Sequence, residues 1–304
     1  MGYGNLGKAC KKQIEKRPDE FILVGIFSRR QSKETILLDD IAKYKDDIDI
    51  ALFCGSSSDD APIMVPHLNQ IGLSTVDSYD NHGEIANGNY LNLIQAATDK
   101  SGTTAIVGAG WDPGYLSVQR VINKAIMPYA VHNTLYGPGL SMGHTNAIKS
   151  IRGVRYAHQI TVPRPDAQIA AANGVTVNKN DRHIRQCFIV AERGGEIAIT
   201  QKILGMEEYF KNQQVEVNFI GIKEFNEKFT NQFAHAGQVI SVDDNAKINL
   251  RLEMKNNPML TASCMIAFAK ANFKMQQNNK KGVFTADEVP PALLIDDYIR
   301  INEI

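Results

Sequence analysis

The first seven residues, Met1-Gly2-Tyr3-Gly4-Asn5-Leu6-Gly7, constrain the fold more than any other stretch. Gly2, Gly4 and Gly7 are spaced as G-x-G-x-x-G. In that pattern the first glycine permits a tight turn and the second lets main chain approach a pyrophosphate. The third lets a helix pack closely on a sheet, with the helix N-terminus facing the phosphates. The pattern is informative only in a strand–turn–helix setting. The helix is legible from Asn5 to Lys16. The strand that should lead into the turn is missing, because the chain opens on the turn.

Beyond that turn, strand-like and helical segments alternate. Phe21–Phe27 and Ile48–Cys54 are short continuous apolar runs, as expected of strands buried on both faces. Leu73–Asp77 and Thr104–Gly108 read as two more strands. Helical stretches lie near 59–70 and 88–100, with Pro66 expected to kink or shorten the first. This order predicts a Rossmann-type α/β fold, a parallel doubly wound sheet whose first strand is apparently truncated. Ligands of such sheets bind at the carboxyl ends of the strands.

That rule selects the candidate residues. Ser28-Arg29-Arg30 ends the second strand, about 20 residues past the glycines, where an acid would hold a ribose 2′-hydroxyl. Guanidinium groups suit a 2′-phosphate instead, which points to NADP; the alternative is a solvated basic turn. Gly55, Ser56, Ser57 and Ser58 follow the third strand and either line phosphates and ribose or cap a helix. Asp80 and Asp112 follow the next two strands and could hold a substrate ammonium group beside a nicotinamide. They also read as turn residues, Asp112 before Pro113-Gly114. A metal site built with Asp77 and His82 is set aside for want of ligand spacing. The metal expectation is none.

At 304 residues the chain is long enough for about two domains. The second half reads as α+β, with strands at 186–191, 215–220, 238–242 and 248–254, followed by a helix over 260–277. Its stripe Met265, Ile266, Ala269, Phe273 is expected in the core. Lys+Arg and Asp+Glu balance at 33 each, so no general attraction to nucleic acid or an anionic membrane is expected. No apolar run approaches the ~18 residues of a membrane span. Cys10, Cys54, Cys187 and Cys264 are scattered, as in a reduced, cytoplasmic protein.

The chain resembles the meso-diaminopimelate D-dehydrogenase family along essentially its whole length. The likeness rests on Gly-Tyr-Gly-Asn-Leu-Gly at 2–7, Gly-Ile-Phe-Ser-Arg-Arg at 25–30 and Tyr-Asp-Asn-His at 79–82. It continues in Gly-Trp-Asp-Pro-Gly at 110–114, Gly-Pro-Gly-Leu-Ser-x-Gly-His at 137–144 and Arg-Gln-Cys-Phe at 185–188. Val-Glu-Val-Asn-Phe-Ile at 215–220 and Asn-Pro-x-x-Thr-Ala-Ser at 257–263 complete it. The resemblance implies NADP-dependent, reversible oxidative deamination of the D-centre of meso-2,6-diaminopimelate to L-2-amino-6-oxopimelate and ammonia, in lysine biosynthesis. It implies a dinucleotide domain over 1–114, completed by 258–304, and an α+β substrate and dimerisation domain over 115–257, in a homodimer.

The resemblance also assigns roles. Asp80 and Asp112 bind the reacting amine. Thr161, Arg185 and His235 hold the distal carboxylate, and Asn257 contacts the distal end. Tyr136, Met142 and Gly143 line the substrate. Gly2, Tyr3, Gly4, Asn5, Leu6 and Gly7, with Trp111, Pro113 and Gly114, meet the cofactor. Tyr136 stands where many members have Trp, and Met142 where many have Gln, a departure that implies the subgroup with broader substrate use. No general base is identified; His82 and His144 are candidates by residue type alone. In the family about six apolar-rich residues precede Gly2, so the expectation is a native start upstream of Met1. Two other readings stay open: another NADP-dependent imine or ketone oxidoreductase, and a non-catalytic NADPH sensor.

Overall fold

The computed structural model describes residues 1–57, 59–207, 209–229 and 234–296. The chain divides into two units, Met1–Val121 with Pro258–Ile304, and Ile122–Asn257. The first division falls inside the helix Tyr115–Ile126, a few residues past Gly114.

The first unit is built on a parallel sheet in the order Gly282–Thr285, Thr104–Val107, Ser74–Asp77, Ile50–Phe53. Ser74–Asp77 and Thr104–Val107 are buried at every position, with the polar Ser74 and Asp77 satisfied by main-chain donors of Thr104, Tyr79 and Gly108. The helices Ala61–Gln70 and Asn89–Ser101 connect successive strands. Pro66 lies within the first of these helices and does not end it. The long helix Asn257–Gln277 is pinned to the middle of the sheet by Asn272, whose Nδ2 donates to the carbonyls of Thr75 (2.9 Å) and Thr104 (3.2 Å). Met265, Ile266 and Ala269 of that helix pack in the core with Val76 and Ile106. Phe273 departs from the expectation: it is 40% exposed and lines a cavity.

The same cavity explains the other departure. Phe21–Phe27 is not a buried strand. Only Phe27–Ser28 joins a ladder, with Ile36–Leu37, and Ile22 is 89% exposed. A strand needs a hydrogen-bonded neighbour, and beside residues 21–26 lies a cavity of about 560 Å³, walled on its far side by Ile48–Leu52. Met1 and Gly2 tie the two walls together at one end. The Met1 amino group donates to Leu52 O (2.6 Å), Cys54 N–H to Met1 O (2.7 Å) and Gly2 N–H to Phe27 O (2.8 Å). The first two bonds set Met1 opposite Phe53 in parallel register.

The second unit carries two sheets. One is mixed, in the order Gln214–Phe219, His183–Ala191, Val154–Pro163, Gly139–Leu140. The other is antiparallel, in the order Lys247–Met254, His235–Val242, Val131–Tyr136. The strands expected near 186, 215, 238 and 248 are present. Val154–Pro163 escapes a sequence reading because two of its buried alternate positions are polar, Gln159 and Thr161.

Candidate functional site

In the first unit each glycine of the opening turn has a separate steric task. Gly2 sits at φ +85°, where an L side chain is strained. A Cβ at Gly7 would overlap the carbonyl oxygen of Gly2, so only glycine lets the helix approach that closely. A Cβ at Gly4 would meet no atom within 4 Å. The main chain there faces open space, at the start of the helix Asn5–Glu15, whose N-cap has no side-chain partner. Leading helix N–H groups left without a cap suit a phosphate. This part of the unit therefore fits the pyrophosphate of a dinucleotide.

The neighbouring candidates are partly engaged. Arg29 makes two bonds to Asp60, at 3.0 and 3.1 Å, and Asp60 also accepts from Ser56 N–H (3.2 Å). Asp60, which sequence reasoning missed, thus gathers Arg29 and Ser56. Ser28 Oγ accepts from Arg30 N–H (3.3 Å), and the Arg30 side chain is exposed. The Tyr3 hydroxyl donates to Glu34 (3.0 Å), and Leu6 packs on the core. Asn5 is exposed and Ser57 half-buried. A Cβ at Gly55 would press on the Phe53 ring at 2.5 Å. Ser58 lies outside the described residues.

The loops carrying Asp80 and Asp112 hang from one buried carboxylate. Asp77, at the end of its strand, accepts from Tyr79 N–H (2.9 Å), the Tyr90 hydroxyl (2.9 Å) and Gly108 N–H (3.1 Å). Burial pushes its carboxyl up to about 6, against the pull of those bonds. The two loops touch, since a Cβ at Gly110 would lie 3.4 Å from Ser78 Cβ. Gly114, at φ +126°, folds back so closely that a Cβ there would overlap the Gly110 carbonyl. Trp111 and Pro113 lie within this closed turn, and the Asp112–Pro113 bond is cis.

The two carboxylates stand in different settings. Asp80 is exposed. The Asp112 side chain is 0% exposed and takes a two-pronged ion pair from Arg120, at 2.6 and 3.0 Å. Arg120 also donates to Ser117 Oγ (2.9 Å). Arg120 carries no sequence signal, because a turn and a helix intervene before the fold brings it to Asp112. His82, at the start of the helix His82–Ala86, is exposed.

The second unit gathers a cationic cluster. Arg185 stands opposite Thr161 in the antiparallel ladder and beside Val215 in the parallel one. Its Nη1 donates to Thr161 Oγ1 (2.7 Å) and its Nε to Gln213 Oε1 (2.6 Å). Burial lowers the Arg185 guanidinium to about 10, still charged at neutral pH. Among the described residues it has no carboxylate partner. The histidines around it are held neutral, foremost by burial and then by the Arg185 charge: His144 and His183 fall to about 3, and His235 is lowered. His183 Nε2 accepts from Tyr136 N–H (2.8 Å), and His144 Nδ1 lies 2.8 Å from Ser141 Oγ. So low a proton affinity makes His144 a poor general base.

Of the remaining substrate candidates, Tyr136 and His235 lie at this cluster, and Met142 and Gly143 lie on the helix of His144. His235 adjoins the strand position of Gly139, where a Cβ would lie 2.5 Å from His235 Cα, and Gly139 pairs with Thr161. Met142 and Gly143 are exposed in the first turn of the helix Met142–Lys149. Asn257 is the last residue of the unit and the first of the long helix. A buried guanidinium without a counter-charge, ringed by neutral groups, is suited to a ligand carboxylate.

A family profile described as the diaminopimelic acid dehydrogenase C-terminal domain matches residues 110–256. The meso-diaminopimelate D-dehydrogenase of Corynebacterium glutamicum is 39% identical, over 98% of this chain and 96% of its own length. That of Lysinibacillus sphaericus is 35% identical, over 97% and 94%. Among solved structures, the C. glutamicum enzyme in complex with DAP aligns with a TM-score of 0.92 at 37% identity, over 98% of this chain and 94% of that one. An engineered D-amino acid dehydrogenase bound to NADP+ aligns at 0.89 and 37% identity, over 98% and 95%.

Proposed function

The chain belongs to the meso-diaminopimelate D-dehydrogenase family, and we propose that it carries out the reversible, NADP-dependent oxidative deamination of the D-centre of meso-2,6-diaminopimelate. The products are L-2-amino-6-oxopimelate and ammonia. The reading places the chain in lysine biosynthesis in the cytoplasm, as a homodimer. No described helix is long and apolar enough to cross a membrane.

The observation that carries the substrate reading is Arg185, a buried guanidinium with no acid partner among the described residues. Diaminopimelate is a zwitterion at both ends. Its distal carboxylate needs a cation, and Arg185, with Thr161 and His235 beside it, supplies one. Asn257 takes a further contact at the distal end, while Tyr136, Met142 and Gly143 line the substrate. The reacting amine needs anions, and Asp80 and Asp112 supply them. Arg120 holds the Asp112 carboxylate in one orientation, so that it need not be ordered when the ammonium arrives. The ammonium first gives up one proton to solvent, and as hydride leaves and the amine becomes an iminium its positive charge stays beside the oriented Asp112 and the exposed Asp80. Water then adds and ammonia leaves.

Gly2, Gly4 and Gly7 would hold the pyrophosphate of the cofactor, Arg29 and Arg30 its 2′-phosphate, and Ser28 and Ser56 the adjoining ribose and phosphates. Bound there, the nicotinamide would supply the acceptor for hydride from the D-carbon. Asp112 lies next to Pro113, in a turn closed by Gly110 and Gly114, so the reacting amine is placed by a rigid loop. The test is absorbance at the nicotinamide band with meso-diaminopimelate and NADP. NADPH formation supports the reading. Tight NADPH binding without turnover would assign the chain to the sensor alternative.

A further inference from the structure

We propose that Gln213 is a specificity-determining positioning residue: it aims Arg185 while leaving the guanidinium charge for the ligand. The inference rests on the reading of Arg185 as the holder of the distal carboxylate. Gln213 lies just ahead of the strand Gln214–Phe219, which runs parallel to the strand of Arg185, with Gln214 beside Ile184. Its Oε1 accepts from Arg185 Nε at 2.6 Å, and its own Nε2 donates to Tyr209 O at 2.9 Å. The amide is therefore held at both ends, and its oxygen is directed at Arg185.

The chemistry of this contact is selective. A guanidinium has five N–H donors in a rigid plane. Gln213 takes the Nε donor and Thr161 takes one on Nη1. Nη2 makes no hydrogen bond to the described residues. Thr161, having accepted from Arg185, turns its own hydroxyl to Gln159 Oε1 (3.3 Å). Gln159 is fully buried, and its Nε2 has no partner among the described residues. Arg185 thus rests on a cradle of neutral acceptors, with neutral histidines around it. A glutamate at 213 would keep the acceptor for Arg185 Nε, lose the donor to Tyr209 O and cancel the guanidinium charge. A glutamine orients the plane and leaves the full positive charge to attract an incoming carboxylate.

The experiment compares Gln213→Glu, Gln213→Leu and Arg185→Met with the unmodified chain. The readouts are KM for meso-diaminopimelate, KM for NADP, kcat, and NADPH binding as a check of folding. Gln213→Glu is expected to raise the diaminopimelate KM by about ten-fold or more, the scale of one lost charge-assisted bond, with kcat and the NADP KM within about three-fold. Gln213→Leu, which removes the aim without adding charge, is expected to raise the same KM by a smaller factor. If one variant fails to bind NADPH, the other decides. A diaminopimelate KM within about three-fold of the unmodified value in the variants that fold overturns the proposal. So does a parallel rise in both KM values, which marks a merely structural role. If Arg185→Met leaves the diaminopimelate KM unchanged, the underlying substrate reading fails. If Arg185→Met raises it and the Gln213 variants do not, only the role of Gln213 fails.

Discussion

The two units present their charges in opposite ways. In the first, the buried carboxylate of Asp112 is already matched by Arg120, and the buried Asp77 is matched by two main-chain donors and a tyrosine. In the second, the guanidinium of Arg185 bonds only neutral groups among the described residues. An ion that is paired in the protein is set for orientation: its position is fixed and its charge partly spent. An ion left without a counter-charge is set for affinity, because burying it unpaired is costly and a ligand of opposite charge relieves that cost. Under the proposed function, geometry in the first unit would serve the reacting amine and charge in the second unit the distal carboxylate.

The comparison breaks most visibly at Asp112. Asp112→Asn is expected to lower kcat by about 10²–10³-fold, the scale of a lost electrostatic group at a reacting centre. It should also lower the melting temperature, because Arg120 loses its ionic partner. Asp80→Asn should lower kcat with little change in melting temperature, since Asp80 is exposed. Near-normal turnover in both variants would move the amine site elsewhere.

The cavity beside Met1 offers a second, smaller test of how firmly the first unit holds its loops. A six-residue apolar, strand-forming segment fused ahead of Met1 continues the register in which Met1 faces Phe53. It should stabilise the first unit, at about 0.5–1.5 kcal/mol for each peptide group that gains a partner. An unchanged melting temperature and unchanged NADPH affinity would show that the slot takes no strand.

At the cofactor, replacing Arg29 and Arg30 together by Ala should weaken NADP by ~1–3 kcal/mol while leaving NAD nearly unchanged. Arg29 is tied to Asp60 in an exposed pair worth only ~0–1 kcal/mol, so the tie does not hold it from a phosphate. Equal losses for both nucleotides, measured by fluorescence titration, would remove the arginines from the 2′-phosphate.

The smallest effect separates the units by pH. His144 and His183 have folded values near 3, below the ordinary 6.5. The unfolded chain therefore binds more protons, and their contribution to stability is lost as pH falls from about 6.5 towards 3. Asp77 goes the other way. Its value is raised from 3.8 to about 6, so the folded state binds more protons between those limits and gains stability on acidification. On lowering the pH from 7 to 4, hydrogen exchange should show the second unit losing protection first, and His183→Gln should reduce that loss. Earlier loss in the first unit would contradict these assignments.

Three strands of the parallel sheet were legible because short apolar or β-branched runs alternate with helices, while its strand Gly282–Thr285 went unread. The run Phe21–Phe27 misled, since apolar content predicts a strand only where a neighbour can pair with it, and a cavity lies on that side. Val154–Pro163 was hidden by inward-facing Gln159 and Thr161, the same polar residues that support Arg185. Asp80, Asp112 and the arginines stand out as candidates from strand ends and turns. Arg120, Asp60 and Gln213 do not. Each becomes meaningful only when folding brings it to a charged partner, and no local spacing announces that meeting.

Turnover of the two substrate stereoisomers decides whether the D-centre is what the molecule recognises. The purified chain is incubated with NADP and meso-diaminopimelate, and in parallel with the LL stereoisomer, which has no D-centre. NADPH formation with ammonia release is expected for the meso compound and none for the LL compound. Equal rates with both isomers, or no turnover of the meso compound by a chain that binds NADPH tightly, would contradict the assignment.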